Sequence, residues 1–305
     1  MKDTLQKFMI DNAPVRGEFI ELKDSWQQVL ARRPYPLAVQ TVLGEMMAAA
    51  ALLTANLKFN GTIIMQIHGD GPVHLMVVEC NDQMRLRATA KFAEDAQIAD
   101  DATLSDLVNV SGNGRFAITL DPNDKVPGQQ AYQGIVPLDG TDMATVIENY
   151  MLRSEQLDTK LWLASDANIC RGLLLQKLPT EGGIQTPDVD VEAWGRLSML
   201  GNTLRRDELL STDIETLMHR LFWEETVRVF EPLHPEFFCS CSREKVGNML
   251  RMLGTEEVEA ALAAEGNLDI HCDFCSQHYR FDPVDCAQLF LGNGAIDDAA
   301  ASKPH

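Results

Sequence analysis

Between residues 37 and 57 the chain is apolar on nearly every side of a helical wheel, with Ala, Leu and Met predominating. Strong helix formers without a polar face predict a helix buried on most sides. After it the period of apolar residues falls from 3.6 to 2. Residues 62–68, 73–80 and 84–90 have strand composition and are separated by Gly69-Asp-Gly-Pro72 and Asn81-Asp82, so they read as an antiparallel meander. Residues 115–120 and 131–136 predict two more strands, 139–156 a helix capped by Thr141 or Asp142, and 161–163 and 168–178 a further strand pair. Upstream, Phe19, Ile20 and Leu22 look strand-like, and Asp24 or Ser25 is placed to cap a helix carrying Trp26, Val29 and Leu30 that stops before Pro34 and Pro36. Short strands joined by hairpin-like turns around one buried helix predict an α+β fold, not a doubly wound parallel sheet. The expected core domain is an antiparallel-sheet domain over residues 1–183, closing at Pro179-Thr-Glu-Gly-Gly183.

The pattern then changes twice. Val189, Val191, Trp194, Leu197, Leu200 and Leu204 fall at helical spacing, and Leu209, Leu210, Ile214, Leu217, Met218, Leu221 and Phe222 do so again around Ser211-Thr-Asp213. Two amphipathic helices without strands of their own have no core, so residues 184–234 are expected to form a linker docked on the core domain and releasable from it. Residues 235–294 read as a small domain: a helix opened by Ser242 and stopped by Gly254, a second from Thr255 to Gly266, and a third from Asp282-Pro283 to Gly292. Residues 295–305 are expected to be a flexible tail.

Composition narrows the function. With 26 Lys plus Arg against 45 Asp plus Glu, the net charge of −19 repels phosphate backbones and anionic bilayers. Neither nucleic acid nor membrane is expected as a partner. The N-terminus lacks a signal-peptide core, and the apolar run 42–57 is interrupted by Glu45, which predicts a cytoplasmic protein. Gly69-Asp-Gly-Pro72 and Ser111-Gly-Asn-Gly114 lack the Lys-Ser/Thr and following helix of a phosphate cradle, so no nucleotide is expected.

Four of the seven cysteines are clustered as Cys239-Ser-Cys241 and Cys272-Asp-Phe-Cys275. Two thiol pairs in a reducing compartment predict one tetrahedral Zn²⁺ per chain, with arms of about 2.3 Å. A domain this small needs such a metal to fold. Closed four-thiolate sites are ordinarily structural, but the C-x-C spacing puts two thiolates on one side of an extended strand, within reach of the metal and of each other. Oxidation there would remove the ligands and, with them, folding free energy. His271 and His278 flank a ligand set that is already full, and Cys80, Cys170 and Cys286 read as buried small hydrophobes. No nucleophile–base or paired-carboxylate constellation stands out, which argues against an enzyme. The alternative is a thiol–disulfide oxidoreductase using the Cys272/Cys275 pair; a zinc-ribbon adaptor for nucleic acid fits the charge poorly.

With these motifs in view, the chain resembles the redox-regulated bacterial chaperones known as the thirty-three-kilodalton heat-shock protein family. The likeness runs through Tyr35-Pro-Leu-Ala-Val-Gln-Thr-Val-Leu-Gly-Glu-Met, Gly69-Asp-Gly-Pro72, the segment around Phe222 and Trp223, and Phe238-Cys-Ser-Cys-Ser-Arg-Glu-Lys245. The resemblance implies an ATP-independent holdase, inactive while reduced and zinc-bound. On oxidation Cys239 would pair with Cys241 and Cys272 with Cys275, zinc would leave, and the linker would unfold. Unfolded client proteins would then be bound, with homodimerisation. On this reading the apolar stripe of Val191, Trp194, Leu197, Leu200, Leu217, Leu221 and Phe222 supplies the candidate client-binding residues.

Overall fold

The computed structural model describes residues 2–57, 60–93, 95–124, 131–179, 190 and 192–291. The chain opens with an antiparallel hairpin, β1 (Thr4–Ile10) and β2 (Val15–Leu22), followed by α1 (Asp24–Leu30) and the long α2 (Leu37–Thr54). The meander β3 (Gly61–His68), β4 (Val73–Asn81) and β5 (Arg85–Phe92) leads through α3 (Leu104–Val108) to β6 (Arg115–Pro122) and β7 (Tyr132–Pro137). Next come α4 (Met143–Ser154) and the hairpin β8 (Thr159–Ser165) and β9 (Cys170–Lys177). Three short helices follow, α5 (Ala193–Gly201), α6 (Arg206–Ser211) and α7 (Ile214–Phe222), and then β10 (Val227–Val229) and β11 (Glu236–Phe237). The last stretch holds α8 (Arg243–Leu253), α9 (Thr255–Glu265), the hairpin β12 (Leu268–His271) and β13 (His278–Phe281), and α10 (Pro283–Leu291). The fold is α+β, and the chain divides into two compact units, residues 1–238 and 239–305.

In the first unit the strands form two sheets, ordered β10-β1-β2-β9-β8 and β11-β5-β4-β3-β6-β7. All neighbours are antiparallel except the β11–β5 pair. Strand alternation decides what each face covers. On β2, Ile20 and Leu22 point into the main core with α2, whereas Val15 and Phe19 join a second apolar cluster on the opposite face. That second face is where α5, α6 and α7 lie, contributing Ala193, Leu197, Leu204, Leu209, Leu217, Leu221 and Phe222. α2 is buried almost throughout, against both sheets and α4. It tolerates this because its middle is Gly, Ala, Leu and Met apart from Glu45, which Arg206 pairs; a Cβ on Gly44 would lie 2.0 Å from Ser165 Oγ on β8, so only glycine lets the two backbones approach.

Several expectations need correcting. α1 has no side-chain cap from Asp24 or Ser25; the carboxylate of Asp3 accepts the N–H groups of Lys23, Asp24 and Ser25 at 2.7, 2.8 and 2.8 Å. The described residues of the stretch expected to hold two helices form three, because Asp213 caps a new helix by accepting the Thr216 N–H. Nor is it free of strands: β10 pairs with β1, and Leu233 bridges Leu5. β11 adds to the larger sheet beside β5. α2 is also long and apolar enough to cross a membrane by length and composition, but 83% of that window is buried inside the protein. Val189, Val191, Gly292 and residues 295–305 lie outside the described residues.

Candidate metal centre

The second unit has a small core. Leu250, Val258, Leu268, Phe281 and Cys286 are buried, with Val246, Ile270, Tyr279 and Leu289 packed around them. α8 begins where Ser242 accepts the Lys245 N–H at 3.2 Å, and it ends at Gly254, whose φ of +96° no β-carbon residue adopts readily. Gly266, at φ +79°, closes α9 in the same way. These two caps place α8 and α9 between the paired cysteines, so the thirty-residue insert folds back and returns the chain to its starting point.

The first pair lies just ahead of α8; the second occupies the turn joining β12 to β13. In that turn Cys272 N–H donates to Gln277 O at 3.0 Å and Ser276 N–H to Cys272 O at 2.8 Å, with Ser276 in the left-handed region at φ +58°. A turn this tight aims peptide N–H groups at sulfur: those of Cys275 and Phe274 at Cys272, and that of Gln277 at Cys275. Such donors favour thiolates, which is what a cation requires.

All four sulfurs converge, each within 4.8 Å of the others. Cys239 Sγ lies 3.7 Å from Cys272 Sγ, and Cys241 Sγ lies 3.3 Å from Cys275 Sγ. A tetrahedron with arms of about 2.3 Å has edges of about 3.8 Å, so the four sulfurs lie close enough together that they could hold one metal ion. Burial raises the Cys272 and Cys275 thiols above their ordinary value; as free thiols they stay protonated at neutral pH, and a cation makes four thiolates at this spacing tolerable. Tyr279 completes the site, its hydroxyl donating to Cys241 Sγ at 3.1 Å. That acceptor holds the phenol proton, raising it to about 12.

His271 and His278 stack on each other at 4.6 Å, outside the cluster, and His278 Nε2 contacts Asp269 at 2.6 Å. Neither joins the four sulfurs. Cys80, Cys170 and Cys286 are buried elsewhere. Of the seven candidate client-binding residues, Leu197, Leu217, Leu221 and Phe222 are buried in the second cluster of the first unit and Trp194 and Leu200 pack against it, while Val191 is outside the described residues. Reading the sequence missed Tyr279. Its alternation with Phe281 along β13 signals an inward side chain, but nothing in the pattern says that the hydroxyl reaches a cysteine 38 positions away.

Residues 3–282 match the family model described as Hsp33 protein. The chain belongs to the Hsp33 family. A "33 kDa chaperonin" of Chromobacterium violaceum is 51% identical over 288 residues, covering 94% of each chain. One from Methylobacillus flagellatus is 47% identical over 291 residues, covering 95% of each. The solved 33 kDa chaperonin (heat shock protein 33 homolog) of Thermotoga maritima superposes with a TM-score of 0.76, covering 94% of this chain and 97% of that one. At 20% identity it attests the fold alone. The Hsp33 relatives are thus named as chaperones, and four cysteines able to hold a metal sit in the Hsp33 fold of this chain.

Proposed function

We propose that this chain is an ATP-independent chaperone, a holdase, whose client-binding surface is kept covered by a zinc-dependent latch. The observation that carries the reading is the convergence of four thiols, all within 4.8 Å, in a unit whose described residues include five buried apolar ones. So small a core is marginal by itself, and metal binding supplies folding free energy. Cys239, Cys241, Cys272 and Cys275 hold one Zn²⁺ in the reduced state. Loss of the thiolates to disulfides, Cys239 with Cys241 and Cys272 with Cys275, releases the ion and unfolds the unit.

The segment carrying α5, α6 and α7 is the second half of the latch. Helices of 9, 6 and 9 residues are too short to persist alone, since isolated helices below about 12–15 residues are marginal. They stay ordered by docking. Trp194, Leu197, Leu200, Leu217, Leu221 and Phe222, with Val191, then form the client-binding stripe when the segment lets go, together with Phe8 and Phe19 of the sheet they had covered. The charge of −19 keeps such a protein soluble while apolar surface is exposed. Cytoplasmic location, a homodimeric active form and independence of nucleotide complete the reading, and no enzymatic step is required.

The test measures zinc content and suppression of a client's thermal aggregation before and after peroxide treatment at raised temperature. Zinc release accompanied by a large gain in suppression is expected; full zinc retention, or equal suppression in both states, would overturn the proposal. The alternative of a thiol–disulfide oxidoreductase is disfavoured because Cys272 and Cys275 sit in the turn of the antiparallel β12–β13 hairpin and not in a thioredoxin-like βαβ context.

A further inference from the structure

The hydrogen-bond donors to Cys241, Cys272 and Cys275 differ in origin. Peptide groups of their own turn, two or three residues away, donate to Cys272 and Cys275. The hydroxyl donor to Cys241 comes from β13, 38 residues along the chain. Tyr279, paired with Ile270 across the β12–β13 hairpin, carries its hydroxyl 3.1 Å from Cys241 Sγ, and its ring packs against the unit's core cluster. The ring is therefore held while the hydroxyl points at one sulfur of the C-x-C pair.

We propose that Tyr279 is a positioning residue that restrains Cys241: its hydroxyl draws electron density from that one thiolate, slowing its reaction with electrophiles while the hairpin stays packed. A hydrogen bond to an anionic sulfur is charge-assisted and lowers the sulfur's nucleophilicity as it lowers its basicity. The reach of the bond gives it a second property. It breaks when β13 separates from the segment bearing Cys241, so the reactivity of this thiolate reports whether the unit is folded. The inference rests on the four-thiolate site holding zinc, which the proposed function assumes.

The test uses the full-length, zinc-loaded chain, limiting iodoacetamide, and peptide mass spectrometry to read alkylation at each cysteine. Tyr279→Phe is expected to speed alkylation of Cys241 roughly fivefold, the effect of a charge-assisted bond damped by the usual dependence of nucleophilicity on basicity. Cys272 and Cys275 are expected to change less than about twofold on the same grounds. An unchanged Cys241, or a parallel rise at every cysteine, overturns the proposal, the latter by showing a loosened unit. A second chain keeps the hydroxyl: replacing all four tyrosines with 3-fluorotyrosine makes the donor more acidic, and Cys241 alone is expected to slow. If Tyr279→Phe releases zinc, the fluorinated chain decides the matter, and no slowing overturns the proposal. A wild-type chain that holds no zinc would instead sink the metal reading itself.

Discussion

Glu18 on β2 and Glu45 on α2 are almost wholly removed from water, and burial raises their carboxyls to about 8 and about 7. Nearby cations offset part of this: Lys7 Nζ lies 3.8 Å from Glu18, and Arg206 of α6 bonds Glu45 at 2.7 Å. Burial still prevails. An acid whose folded pKa exceeds its ordinary 4.5 favours the fold while protonated, so its contribution is complete below about pH 4.5 and is lost as pH rises through 7 and then 8. Glu18→Gln, which mimics the protonated acid, is therefore expected to stabilise the first unit by roughly 1–3 kcal/mol at pH 8.5 and to change little at pH 5. Urea melts at the two pH values measure this, and a loss at pH 8.5 would show that the charged form is the one the fold favours. Asp3 acts as a cap, accepting three backbone N–H groups at the start of α1. Asp3→Ala is expected to cost about 1–2 kcal/mol in the same melts. The sequence offered Asp24 and Ser25 as the local caps; a cap delivered across a hairpin from twenty residues away leaves no local trace.

At the scale of elements, the docked segment was legible as amphipathic helices, since its apolar spacing is regular from Trp194 to Phe222. Its division into three was not, because Asp213 is as suited to a helix surface as to a cap until the Thr216 N–H is seen to bond it. β10 and β11 also escaped notice: strands of three and two residues are too short to show a period. The docking itself combines apolar and polar contacts. Phe222 sits 5.4 Å from Phe8, and the buried Arg171 of β9 pairs with Glu21 while donating to the carbonyls of Leu209 and Thr212. Phe222→Ala is expected to weaken docking by about 3–5 kcal/mol, and should raise binding of an apolar dye and protease cleavage between residues 190 and 225. Unchanged cleavage would mean that the segment is held by its polar contacts alone. Cys272→Ser addresses the other half of the proposed latch. It is expected to lose zinc and to leave residues 187–305 open to protease while 1–180 stays resistant; a protected C-terminal fragment would mean that the metal is not what holds it.

For the molecule as a whole, the α+β class and the four-thiol cluster were readable because both rest on patterns that short segments carry by themselves: periods of 3.6 and 2, and paired cysteines. What joins distant segments, such as the Tyr279 hydroxyl on Cys241 or Arg206 on Glu45, depends on the finished fold and was not. α2 shows the same dependence in time. Its 18 residues are covered by strands from both sides of it in the chain, including β8 and β9, the last of which ends at Lys177. A ribosome adding about 5–20 residues per second therefore presents this helix uncovered for on the order of ten seconds before its last neighbour is made. During that interval this helix is, by length and composition, apolar enough to cross a membrane. A protein proposed to shelter the exposed apolar segments of others thus begins its own life as a client, dependent on finishing its sheets before anything else claims its central helix.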